Sequence, residues 1–179
     1  MIFVTVGNYL AFPRLVGAVD DLKARGIIAD DVVMQVGRSD FTSSHCQTAR
    51  FLSPDDFYRN LNAASVVISH GGGGSLIDAM RAGKTPVVMP RQRRHGEHVD
   101  DHQVELARAM AAENRVILAL ETSDLPAAIE AAQTRGITRP NGASRRMIDL
   151  VSRAIDELIN RRGEGANCHG YPRNQRLSR

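Results

Sequence analysis

Six short apolar runs punctuate the first two thirds of the chain, at residues 1–6, 32–36, 48–52, 66–68, 87–89 and 116–120. Runs of that length, most of them rich in Val and Ile and bounded by Gly, Pro, Asn or Ser, predict buried strands. Between them apolar residues return at helical spacing. Leu15, Val16, Val19 and Leu22 follow Pro13 and stop at Gly26, while Ser53, Pro54 and Asp56 read as cap, first residue and acidic third position of a second helix. Leu76, Ile77 and Met80 form a third stripe closed by Gly83. Val104, Leu106, Ala107, Met110 and Ala111 form a fourth over about 102–113, and residues 123–134 a fifth. Alternation of strands and helices predicts an α/β domain whose parallel sheet is flanked by helices.

The junction after Ile68 adds chemistry to this architecture. Here a β-branched run leads through His70 into four consecutive glycines, Gly71, Gly72, Gly73 and Gly74, and then into a helix that Ser75 caps or begins. Glycines there remove Cβ atoms, so backbone N–H groups and the free amides of a helix N-terminus can approach an anion such as a pyrophosphate. A plain tight turn is the bland reading. Four glycines in a row, each about 0.5–1 kcal/mol less favourable than alanine in an ordered segment, exceed what one turn needs. Asp78 is expected on the first turn, at the ligand end, where a carboxylate can accept both hydroxyls of a ribose; the helix dipole alone also favours an acid there.

The run from His70 to Ser75 with Asp78, then Gly83, Lys84, Pro86 and Pro90, and finally Gly96, Glu97, His98, Asp101, His102 and Gln103, resembles the donor-binding, C-terminal half of GT-B glycosyltransferases of the MurG-like family. Residues 1–16, the segment with Gln35, Gly37 and Ser39, and residues 51–62 look like the same family in the same order, so the resemblance covers about residues 1–125. It is strongest to small stand-alone subunits related to the catalytic subunit of the eukaryotic dolichol-linked UDP-GlcNAc transferase, and to bacterial exopolysaccharide glucosyl- or glucuronosyltransferase subunits. It implies a Rossmann-like half-domain that binds a UDP-sugar. In that reading Gly7 and Asn8 lie near the donor phosphates, although Asn8 replaces the family's Thr and residues 9–11 depart from its pattern. The backbone of Leu52 would contact uracil. Glu97, Asp101, His102 and Gln103 would read sugar hydroxyls and diphosphate, chemistry that carboxylate and amide side chains suit. Arg91 or Lys84 would assist the phosphates, and His70 would be a turn residue or a phosphate donor rather than a base.

Composition narrows the alternatives. With 179 residues, the chain is long enough for one α/β domain and short for two. A net charge of +3, from 23 Lys and Arg against 20 Asp and Glu, with three Tyr, five Phe and no Trp, gives no nucleic-acid signature. Cys46 and Cys168 stand far apart, which indicates neither a disulfide framework nor a zinc site and fits a reducing cytoplasm. The N-terminus does not read as a signal peptide, and no apolar run approaches the roughly 18 residues that cross a bilayer. His95, His98 and His102 at spacings of three and four invite a metal reading. Gly96 and the surrounding charges argue instead for a loop, and the resembled enzymes catalyse without metal; none is expected. Nor is a cofactor, the UDP-sugar being a substrate.

The domain is expected to span residues 1–160, with a loop at 136–144 and a last amphipathic helix at 145–160. A basic tail at 161–179, with five Arg and one Glu, reads as disordered. A GT-B site lies between two such domains, so the expected function is the donor-binding, catalytic subunit of a two-component inverting glycosyltransferase. Its partner would be a membrane-associated, acceptor-binding subunit that recruits it to the inner face of the membrane and supplies the general base. Lipid-linked or polysaccharide acceptors fit. Self-association of the isolated chain through the partner surface stays open, as does a rival reading, a non-catalytic nucleotide-binding module of a polysaccharide biosynthesis complex.

Overall fold

The structure, a computed structural model, describes residues 1–135. The expected loop at 136–144, helix at 145–160 and tail at 161–179 lie outside the described residues. Within them the chain forms β1 (Ile2–Thr5), α1 (Pro13–Ala24), β2 (Val32–Gln35), β3 (Gln47–Ala49), α2 (Pro54–Ala63), β4 (Val66–Ser69), α3 (Gly73–Arg81), β5 (Val87–Val88), α4 (His102–Ala112), β6 (Ile117–Leu118) and α5 (Leu125–Arg135). Each of the six apolar runs holds a strand, and each of the five stripes a helix. Local signals set the helix starts: Pro13 is in the first turn of α1, and the Ser53 hydroxyl accepts the Asp56 N–H at 3.1 Å to cap α2.

All pairings are parallel, and the strand order is β3-β2-β1-β4-β5-β6. From β1 the chain winds outward to β3, then returns to the middle at β4 and winds outward the other way. The reversal between β1 and β4 is a topological switch point, where the connections after the two strands diverge to opposite faces and leave a crevice at their carboxyl ends. Register brings Thr5, Gln35 and Ser69 level at that edge.

Both faces of the sheet are covered, as parallel pairing requires. Ile2 and Val4 face α1 and α5, in a core with Leu15, Val16, Val19, Leu125 and Ile129. Phe3 and Val67 face the other way, onto Leu61 of α2 and Ala79 of α3, with Phe3 edge-on to Phe57 at 5.4 Å between ring centres. Leu76, Met80, Leu106 and Met110 join α3 and α4 in a third cluster against Val88. Burying side chains of this size contributes about 1.5–3 kcal/mol each. The edge at the switch point is thus held from both sides.

Candidate functional site

A cleft of about 450 Å³ opens at the carboxyl ends of the central strands, within the range of small-molecule sites. Its walls bring together Gly7, Asn8, Leu52, His70, Gly72, Gly73, Gly74, Ser75 and Asp78, residues singled out from the sequence, with Thr5, Gln35, Pro54, Phe57 and Tyr58.

The glycine turn forms one wall. α3 starts two residues earlier than the sequence suggests: Gly72 is the cap position, no side chain caps the helix, and Ser75 is its third residue. The first helical bond runs from Leu76 N–H to Gly72 O at 3.1 Å, so the amides of Gly73, Gly74 and Ser75 precede the ladder and their positive dipole ends serve the cleft. Asp78 falls in the second turn rather than the first. It still reaches the rim, where the Tyr58 hydroxyl donates to it at 3.3 Å.

His70 explains two of the glycines by itself. A Cβ on Gly7 would sit 2.8 Å from its ring, and one on Gly72 would run into Nε2. The ring is packed between the turns after β1 and β4, so part of the glycine requirement is internal packing rather than ligand approach. At Gly74, by contrast, a Cβ would meet nothing within 4 Å. Burial, aided by the nearby Arg91 charge, lowers the His70 pKa to about 4, so the ring is neutral at pH 7. Its Nδ1 lies 3.4 Å from the Thr5 carbonyl, which only accepts. That contact places the proton on Nδ1 and leaves Nε2 as an acceptor, a poor phosphate donor.

Gln35 joins the three strand ends. Its Nε2 donates to the Asn8 side chain at 3.3 Å and its Oε1 accepts the Leu52 N–H at 3.1 Å. The sequence places Gln35 in a resembling segment but assigns it no role. A polar residue closing an apolar strand is the signal that marks it. Tyr58, exposed on α2 and turned to Asp78, carries no comparable signal.

The loop after β5 departs from expectation. Arg91, Glu97, Asp101, His102 and Gln103 lie outside the cleft walls, as does Gly71. Arg91 donates to Val6 O at 2.7 Å and Leu10 O at 2.6 Å, and its guanidinium lies 4.9 Å from the Phe12 ring centre. Burial lowers its pKa to about 10, which still leaves it charged at neutral pH. Glu97, 8% exposed, holds Arg14 in a two-pronged ion pair at 2.6 and 2.8 Å and also accepts the Gln92 N–H. Gln103 accepts the Arg91 N–H, Asp101 the Arg93 N–H, and His102 contacts Asp100. Lys84 is removed altogether: its ammonium donates to Asn62 O and Ala64 O, ahead of β4 and therefore at the opposite edge of the sheet from the glycine turn. It cannot assist a phosphate bound there.

A switch-point cleft with free helix amides in a 3-2-1-4-5-6 parallel sheet defines a Rossmann-like type of α/β domain. A family model, the glycosyltransferase family 28 C-terminal domain, matches residues 1–154, and the chain belongs to that family. Among curated proteins it is similar to the UDP-N-acetylglucosamine transferase subunit ALG13 of Yarrowia lipolytica, 26% identical over 70% of this chain and 67% of that one. The human ALG13 subunit is 28% identical over 64% of the chain, which spans only 10% of that relative's length. Among solved structures, ALG13 in solution superposes with a TM-score of 0.60 at 20% identity, over 84% of this chain and 94% of that one. The glycosyltransferase SnogD from Streptomyces nogalater gives 0.57 at 17% identity, over 88% and 42%. These two likenesses establish a shared fold, and the family model identifies it as that of the C-terminal domain of such glycosyltransferases.

Proposed function

We propose that this chain is the donor-binding, catalytic half of a two-component inverting glycosyltransferase that uses a UDP-sugar. The observation that carries the reading is the cleft itself, with the amides of Gly73, Gly74 and Ser75 on one wall and Asp78 at its rim. The diphosphate rests on those amides, which stabilise the charge that grows on departing UDP as an acceptor hydroxyl attacks the anomeric carbon. Asp78 accepts the ribose hydroxyls. Gln35 already holds the Leu52 N–H, so the Leu52 carbonyl is the group that accepts uracil N3–H. The sugar extends toward the loop after β5, where Asp101 is exposed and His102 partly exposed, while Glu97 and Gln103 hold its shape.

The acceptor half is a separate, membrane-associated subunit that also recruits the chain to the cytoplasmic face of the membrane. In support, no helix among the described residues is long and apolar enough to cross a membrane. The base belongs to that subunit: of the ionisable groups on the cleft walls, His70 is buried and its pKa is lowered to about 4 by that burial, which makes it a weak base, and Asp78 and Tyr58 bond one another at the rim. Lipid-linked or polysaccharide acceptors remain the proposed class.

Calorimetric titration with UDP, UDP-glucose, UDP-N-acetylglucosamine and UDP-glucuronate, with ADP as control and chelator present, tests the reading. Uridine-selective binding that Asp78→Ala weakens supports it, and the preferred sugar names the donor. Equal binding of ADP, or turnover by the isolated chain without an acceptor subunit, overturns it in its present form.

A further inference from the structure

We infer that His98, Asp100 and His102 form a binding site for one divalent transition-metal cation of the zinc class, outside the cleft walls; it shares His102 with the loop that the proposed function turns toward the sugar, and the test below reads metal binding without donor. The three residues each offer a ligand atom, and these atoms all lie within 4.8 Å of one another. His98 Nδ1 is 3.4 Å from Asp100 Oδ1, and His102 Nδ1 contacts that same oxygen. The two imidazoles meet edge to face at 4.4 Å between ring centres. Zinc bonds of about 2.0–2.2 Å to N and O in a tetrahedron set neighbouring ligand atoms about 3.3 Å apart. The His98 to Asp100 separation is close to that value, while His102 and Asp100, now in direct contact, must part to reach it.

The local fold explains why these three converge. A 3₁₀ turn over Arg93–His95 ends at Gly96, whose φ of 67° turns the chain back. α4 then begins at His102, whose N–H donates to Asp100 Oδ1 at 3.2 Å. Neighbouring ionic groups are directed elsewhere: Glu97 to Arg14, Asp101 to the Arg93 amide. His95 lies 3.9 Å from Glu121, so the row His95, His98, His102 suggested by spacing is replaced by a cluster with Asp100 in place of His95.

Two imidazoles and one carboxylate select zinc, copper, nickel or cobalt over magnesium and calcium, which require mainly oxygen ligands. All three side chains are partly exposed, between 16% and 33%, so a cation can enter and complete its shell with water. Its effect is to clip residues 98–102 onto the start of α4. No step of sugar transfer runs through it.

The test uses the full chain, tag-free and stripped with chelator, titrated with zinc by calorimetry and with cobalt by visible absorption. One zinc per chain is expected, with a cobalt d–d spectrum of low coordination number and a higher melting temperature on zinc addition. Asp100→Asn and His98→Gln should each weaken zinc binding at least about tenfold and abolish the thermal shift, while His45→Ala changes neither; circular dichroism confirms that the variants fold. Absence of saturable binding at millimolar zinc, or binding that survives both substitutions, overturns the proposal.

Discussion

The cleft beside the glycine turn and the charged loop after β5 both present polar groups, yet they use them in opposite ways. Around the turn the polar groups are backbone amides at the start of α3, left without partners by the helix geometry itself. In the loop they are long charged side chains, and most have found partners within the chain: Arg14 with Glu97, Arg91 with Val6 and Leu10, Gln103 with the Arg91 amide. A helix N-terminus cannot satisfy its own donors, whereas a flexible side chain takes whatever partner the fold brings near. Unpaired donors are therefore built into the first region, and in the second most polar side chains are already paired within the chain.

The largest test of this contrast is Glu97→Ala. Removing the carboxylate leaves the guanidinium of Arg14, 17% exposed, with only the Leu120 and Pro90 carbonyls and no counter-charge, and should lower stability to urea by about 3 kcal/mol. If instead stability holds and UDP-sugar binding collapses, Glu97 belongs to the ligand and the contrast fails. Asp78→Ala should do the reverse, weakening UDP-sugar binding by roughly tenfold to a hundredfold, as for a lost hydrogen bond to a charged group, with the urea midpoint unchanged.

His70 sharpens the comparison through pH. Its folded pKa, about 4, lies below the ordinary histidine value near 6.5. Between those values the unfolded chain binds the extra proton, so stability is complete above pH 6.5 and falls with acidification. The expected loss is about 2 kcal/mol between pH 6.5 and 5. The difference in urea stability between the natural chain and His70→Gln, measured at both pH values, isolates this contribution; an identical pH slope in the two proteins would remove it.

The smallest effect is expected at Gly74, where a side chain has open space. Gly74→Ala should raise stability by up to about 1 kcal/mol through helix propensity, while narrowing the approach to the α3 amides and weakening diphosphate binding severalfold. Unchanged UDP affinity in that variant removes the amide wall from the binding site.

The fold was largely legible in the sequence. Strand and helix periods are local properties; Pro13 and Gly83 mark boundaries by fixing or freeing backbone angles, and Ser53 by capping the Asp56 amide. The start of α3 was misplaced because a serine is the usual cap signal, whereas Gly72 occupies that position without one. The cleft was legible through its backbone features, in the turns at Gly7 and Gly72 to Gly74. Its side-chain partners Gln35 and Tyr58 were not, because Gln35 acts by joining the ends of three strands and Tyr58 by reaching across to Asp78.

By itself, then, the sequence determined the alternation of strands and helices and where a turn would expose amides, since both follow from side-chain period and from residues that lack a Cβ or an N–H. Only the tertiary structure decided which charged residues are held by partners within the chain. Glu97 meets Arg14 from 83 positions away and Arg91 meets Val6 from 85. Lys84, beside the glycine helix in sequence, is carried to the far edge of the sheet. A charge is satisfied by whatever lies within a few ångströms, and chain folding, not sequence distance, sets what that is.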